Sequence, residues 1–311
     1  MKDLVIIVEE SATPNEKELS SSWFQGLKGT TGEYSIETPL GDPRVVKGTL
    51  LDGFDLSYIT SEIFYLDITN ECNFNCGHCG IKKDVKFVKM DGEPYKENAR
   101  YVTSDFIEGV ARLIGKFPTG LEDGYRKLFY GGGEPLISPK RFAEINHAFD
   151  SVELTTRIVV TNGLGLPVDE SEFVSFMNRI GNPHIMLTYT ESHASQYAAL
   201  AAQGSFSRWV PDIEPCMALP EKIRLLHHIC RNNGLNFEGN SVYPNGQDHP
   251  RELREIIMKN AIQWVSTEIN GHKKPCPKRR ETAIRFNGDV YPHCYDVFTG
   301  ENKLGVIGFL T

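Results

Sequence analysis

No apolar run in this 311-residue chain approaches the length needed to cross a bilayer. The opening stretch, Met1-Lys2-Asp3-Leu4-Val5-Ile6-Ile7-Val8-Glu9-Glu10, has an apolar core of only five residues and turns acidic at once. No small-residue cleavage site follows, so it does not read as a secretory signal. Basic excess is missing too. The 33 Lys and Arg against 41 Asp and Glu leave a formal net charge of −8, which argues against non-specific nucleic-acid binding. There is no internal repeat and no low-complexity segment. Nor is there a paired cysteine framework: the cysteines number seven, three of them clustered, which points to a reducing compartment, the cytoplasm, rather than to disulfides. What is present is ordinary for a soluble globular chain, 40% apolar and 24% charged, and long enough for one large core or two smaller ones.

The most informative stretch is Cys72-Asn73-Phe74-Asn75-Cys76-Gly77-His78-Cys79. It follows Ile63-Phe64-Tyr65-Leu66-Asp67-Ile68-Thr69, an apolar, β-branched run that reads as a strand, so three thiols sit on a loop at a strand's C-terminal end. Thiolates suit zinc or an iron–sulfur cluster. A closed structural zinc site takes four ligands. Only three cysteines are in reach; His78 adjoins Cys79, and no second Cys-x2-Cys pair follows. Three cysteines on one loop instead suit a cubane with one iron left open for a small molecule.

Two further motifs end strand-like runs. Gly131-Gly132-Gly133-Glu134-Pro135 follows Lys127-Leu128-Phe129-Tyr130, and Thr161-Asn162-Gly163 follows Arg157-Ile158-Val159-Val160. Taken with the cysteine spacing, the three in this order resemble the radical S-adenosylmethionine (radical SAM) superfamily. The resemblance implies a [4Fe–4S] cluster on Cys72, Cys76 and Cys79. It also implies that the open iron chelates S-adenosylmethionine, with Gly132, Gly133, Glu134 and Pro135 forming the segment that holds the cosubstrate's amino group. Asn162 lies near the methionine or ribose part in that family, and is equally the residue an Asn-Gly turn uses. His78 stands where relatives often carry an aromatic residue beside the adenine. Thr188 falls where they often have a serine. Relatives with a full C-terminal SPASM extension often carry an arginine shortly after the strand that holds Thr188; the stretch here, Glu191-Ser192-His193-Ala194-Ser195-Gln196-Tyr197, has none. Phe74 reads as packing beneath the loop, and Cys230, beside Leu225, Leu226 and Ile229, as a core residue.

Periodicity organises the rest. Small β-structure is expected over residues 1–60, with 11–33 as loop. Strand–loop–helix units then repeat, with strands at 63–69, 127–130, 157–160, 185–190, 236–243 and 263–269. Helices are expected from Ser104, from Ser138-Pro139 with Ser as N-cap, over 169–180, 194–202 and 219–232, and over 250–262. Six alternating units imply a parallel sheet, doubly wound or barrel-like. The family resemblance implies a (β/α)6 partial TIM barrel over 61–270, with its chemistry at the strand C-termini. The long segment 82–100 is a candidate lid. Residues 271–311 read as a β-hairpin with an Asn287-Gly288 turn, flanked by Cys276 and Cys294. This resembles the start of the family's twitch or SPASM extension and implies an auxiliary iron–sulfur site. The later cysteines of that extension do not follow, so it is short or incomplete.

The resemblance implies dehydrogenation, epimerisation or cross-linking of a peptide or specialised metabolite, with electrons from a flavodoxin- or ferredoxin-like donor. No membrane or nucleic-acid partner is expected. The rival readings are a zinc- or cluster-bearing binding protein without turnover, and a radical SAM enzyme acting on nucleic acid.

Overall fold

The computed structural model describes residues 3–9, 28–51, 63–76, 79, 81, 83–88, 95–115, 126–154, 156–202, 218–243, 251–268, 281–291 and 303–311. The first strands are β1 (Leu4–Glu9), β2 (Gly29–Glu37), β3 (Pro43–Leu51) and β4 (Ile63–Thr69), followed by the short β5 (Glu71–Cys72) and β6 (Lys86–Phe87). Then come α1 (Ser104–Gly115), β7 (Lys127–Gly132), α2 (Pro139–His147), β8 (Thr156–Thr161), α3 (Glu170–Arg179) and β9 (His184–Tyr189). The chain continues with α4 (Glu191–Ala202), α5 (Ala218–Asn232), β10 (Phe237–Tyr243), α6 (Arg251–Asn260) and β11 (Trp264–Glu268). It closes with β12 (Glu281–Ile284), β13 (Asp289–Tyr291) and β14 (Gly305–Leu310).

The fold is mixed α/β around a large sheet. Its parallel part runs β12-β4-β7-β8-β9-β10-β11, in chain order from β4 onward and without reversal. Both faces of β4, β7, β8 and β9 are largely buried, which is why they read as apolar runs rather than alternating ones. Phe64, Leu66, Ile68, Leu128, Tyr130, Val159, Ile185 and Leu187 pack with residues of all six helices in the main core. On the opposite face Ile63, Phe129, Ile158 and Met186 form a second buried cluster with Tyr65 and Val160, to which no helix contributes among the described residues. Each such burial contributes about 1.5–3 kcal/mol.

The remaining strands of this sheet pair antiparallel, while β5 and β6 form a separate parallel pair. β1 pairs with β3 and β14, β3 with β2, and β2 with β14, so four strands close on themselves around Ile7, Ile36, Val46 and Val306. β13 joins this ring to β12 and thence to β4. Chain segments from both ends therefore share one sheet with the parallel strands.

Most expected elements fall within a few residues of their observed bounds. Three differ. Residues 29–33, expected as loop, belong to β2, because pairing with β3 along its whole length satisfies their backbone whatever their polar composition. The first hairpin strand, β12, also pairs in parallel with β4, a long-range neighbour that a hairpin pattern does not announce. Ser138 occupies the N-cap of α2 ahead of Pro139 but its side chain makes no capping bond, whereas Asp169 caps α3 by accepting from Glu172 N at 3.0 Å.

Candidate functional site

The three sequence motifs leave the C-terminal ends of neighbouring strands, β4, β7 and β8, and their loops meet. The cysteine loop starts in β5, whose pairing with β6 is closed by Lys86 N donating to Asn70 O (2.6 Å) and Val88 N to Cys72 O (2.8 Å). Phe74 N donates to Cys72 Sγ at 3.4 Å, and Cys79 N to Cys76 O at 3.4 Å, curling the loop back on itself. Phe74 is buried as expected, against the rings of His193 and Tyr197. Cys76 is buried, Cys72 and Cys79 are half-buried, and all three carry reduced thiols outside any disulfide. The Cys72 thiol is held far above its ordinary pKa, first by burial, then by the Glu134 carboxylate, with lesser contributions from Cys76 and Cys79. The Glu134 carboxylate and the other two thiols thus act on Cys72 electrostatically. Among the described residues no group of three His, Cys, Asp or Glu side chains is arranged to hold a single metal ion. His78, Cys276 and Cys294 lie outside the described residues.

The glycines of the second motif are used against the protein's own backbone. Gly132 has φ +101°, and a Cβ there would run into Thr69 O; a Cβ on Gly133 would run into Glu71 O. That closeness lets Gly133 N donate to Thr69 O (2.8 Å) and Glu134 N to Glu71 O (2.9 Å), stitching this loop to the cysteine loop. Pro135 is buried and its carbonyl accepts from the Tyr101 hydroxyl at 2.7 Å.

Glu134, 3% exposed, is the centre of the junction. Its Oε1 accepts from Thr161 Oγ1 (2.6 Å) and Leu136 N (3.0 Å), and its Oε2 from Asn162 N (2.8 Å). All three donors are neutral. Burial pushes its pKa up to about 6 although each bond pulls it down. Asn162 is engaged on every side: Oδ1 takes Leu164 N (2.9 Å), Nδ2 donates to Asn73 Oδ1 (2.7 Å), and its carbonyl accepts from the Tyr197 hydroxyl (3.2 Å). The first of these is the turn role that Asn-Gly suggests. Asn73 Nδ2, buried beside it, has no hydrogen-bond partner among the described residues.

The chain matches no family model and no curated protein.

Thr188 lies half-buried in β9, in register with Asn240, and its carbonyl accepts from His193 Nδ1 at 2.9 Å. Described parts of segment 82–100 are pinned to the junction. Lys96 Nζ reaches both oxygens of Glu71 (2.9 and 2.8 Å), Arg100 N donates to the same carboxylate (3.0 Å), and Tyr95 OH donates to Gly165 O.

Sequence reasoning missed Asn73, Thr161, Glu71 and Gln196. Asn73 and Thr161 lie inside the motifs but are not their conspicuous members. Glu71 precedes the first cysteine, and a carboxylate just before a buried loop is a local signal. Gln196 carries no local signal, since its partners in the cysteine loop lie about 120 positions earlier in the chain.

Proposed function

We propose that this chain is a radical S-adenosylmethionine enzyme, with Cys72, Cys76 and Cys79 holding a [4Fe–4S] cluster and the loops after β7 and β8 receiving the cosubstrate. The observation that carries the reading is the junction itself. Three motifs from distant parts of the chain are tied together through Glu134, Asn162 and Asn73, beside the thiols. We read the parallel strands as a (β/α)6 partial barrel. Support comes from their unreversed order and from the buried Ile63–Phe129–Ile158–Met186 face, to which no helix contributes among the described residues, as expected where a sheet curves on itself.

The residues present fit the group. Three thiolates leave one iron of a cubane open. A buried carboxylate served only by neutral donors among the described residues is costly as an anion, and an ammonium group offsets that cost through a charge-assisted bond. Asn73 Nδ2 is a buried donor with no acceptor among the described residues. When bound, cluster and cosubstrate would supply one-electron cleavage of the sulfonium C–S bond to methionine and a 5′-deoxyadenosyl radical able to abstract hydrogen from the substrate.

The chain's own contribution is placement and exclusion of water. Glu134 orients the amino group, itself held by Thr161 and the Asn162 amide. Phe74 and Tyr197 close the apolar floor under the cysteine loop. The substrate class we propose is a peptide or specialised metabolite undergoing dehydrogenation, epimerisation or cross-linking, with a flavodoxin- or ferredoxin-like electron donor. The proposal does not depend on Cys276 and Cys294.

The test is anaerobic reconstitution with iron and sulfide, then S-adenosylmethionine and dithionite, beside Cys76→Ala. 5′-Deoxyadenosine from the wild type and none from the variant is the expected result. Zinc in place of a cluster, with no effect of S-adenosylmethionine, overturns the reading in favour of a binding protein.

A further inference from the structure

One face of α4 lies over the cysteine loop. His193, Gln196 and Tyr197, at the i, i+3, i+4 spacing that shares a helix face, meet Phe74, Asn75 and Cys76. The helix is anchored for this: the Thr190 hydroxyl accepts from His193 N (3.0 Å), and His193 Nδ1 bonds to the Thr188 carbonyl (2.9 Å), tying the first turn to β9. From this platform the Gln196 amide reaches across. Its Oε1 accepts from Asn75 N at 2.8 Å, while its Nε2 lies 3.5 Å from Cys76 Sγ and is steadied by Ser192 O (3.3 Å) and Ser192 Oγ (3.2 Å).

We infer that Gln196 is a positioning residue that donates an N–H···S hydrogen bond to the Cys76 thiolate and so sets the reduction potential of the cluster proposed above. The inference rests on that reading. The two ends of one amide do different work. The carbonyl end fixes the loop through the backbone between the first two cysteines, and the amino end withdraws electron density from one sulfur. A hydrogen bond to a cluster sulfur stabilises the more negative, reduced state and raises the potential. It also strengthens once the thiol has become a thiolate. The side chain is suited to this because a carboxylate of the same shape would accept from Asn75 but repel the sulfur, and an aliphatic one would do neither.

The test compares wild type, Gln196→Glu and Gln196→Leu. In cluster-loaded protein the midpoint potential is measured by redox titration followed by electron paramagnetic resonance. We expect both variants to shift negative, Gln196→Glu further because it adds a charge beside the sulfur. Loaded variants with the wild-type potential overturn the inference and leave the enzyme reading intact. A wild type that takes up no cluster overturns both. A second measurement, amide hydrogen exchange at Asn75 in cluster-free protein, covers variants that load poorly. Exchange faster in Gln196→Leu but not in Gln196→Glu, which keeps the acceptor, supports the geometry. Exchange unchanged in Gln196→Leu overturns it.

Discussion

Asn162 Nδ2 donates to Asn73 Oδ1 across 2.7 Å, joining two loops 89 residues apart in the chain. Both side chains are buried, so neither has water as an alternative partner. Replacing Asn162 by Ala leaves the Asn73 carbonyl oxygen unpaired and frees Leu164 N from its acceptor. The expected cost is about 1–3 kcal/mol by urea unfolding. The double variant with Asn73→Ala should cost less than the sum of the singles, by about 0.5–3 kcal/mol of coupling. Strict additivity would show that the two residues do not act together.

Gly133 should tolerate no side chain, because a Cβ meets the Glu71 carbonyl oxygen, a backbone atom already held by Glu134 N. Gly133→Ala is expected to lower stability by about 3 kcal/mol, at the upper end of overpacking costs. Gly115, at the end of α1, where an added Cβ meets nothing within 4 Å among the described residues, is the matched control. Gly115→Ala should be neutral or stabilising by up to about 1 kcal/mol. Equal melting temperatures for the two variants would contradict the close approach.

Lys222 on α5 is buried, with Nζ donating to Leu164 O at 3.2 Å and lying 5.6 Å from the centre of the Tyr197 ring. Burial lowers its pKa from 10.5 to about 7. Between those values the unfolded chain holds a proton that the folded chain has released. Wild-type stability from this group therefore rises with pH from about 7 towards 10.5, by at most about 1.4 kcal/mol per pH unit, and its cost is fully present below pH 7. Lys222→Met should accordingly stabilise the protein most at pH 6 and least near pH 10. A gain independent of pH, read from melting temperatures across that range, would mean the lysine is not titrating in the fold.

Arg285, whose side chain is 4% exposed, donates through Nε to Asp67 (2.9 Å) and lies 3.3 Å from Asp84 through Nη1. It ties the end of β4 to the loop that follows the cysteines. Asp67 already sits at about 6, raised by burial and held down by Arg285. Arg285→Met should destabilise by about 3–5 kcal/mol at pH 8, where the carboxylate is left charged and buried. The loss should be smaller at pH 5, where Asp67 takes up a proton. A companion Asp67→Asn change should recover part of the pH 8 loss. No recovery would place the arginine's contribution elsewhere.

Much of the architecture is legible along the chain because it rests on short-range pattern. The apolar runs ending at Thr69, Tyr130 and Val160 lie in strands, and the helices between them follow the 3.6-residue period of Phe106, Val110 and Ile114. The burial of Phe74 and Cys230 follows from neighbours in sequence. What such patterns miss are partnerships that bring no local sign. β2 gains its first five residues only from β3, β12 becomes a parallel neighbour of β4, and β1 meets β14 from the opposite end of the chain.

The same division runs through the site. Residue identity and spacing already place three thiols on one loop and a carboxylate after three glycines, since these are properties of adjacent residues. Only the folded chain decides that the glycines make room for Thr69 and Glu71 carbonyls, that Glu134 is bound by Thr161 and Asn162, and that Gln196 reaches Cys76. The reason is geometric. A hydrogen bond depends on position to within tenths of an ångström, and those positions are set by how parallel strands stack their C-terminal ends side by side, not by any residue's neighbours in the chain.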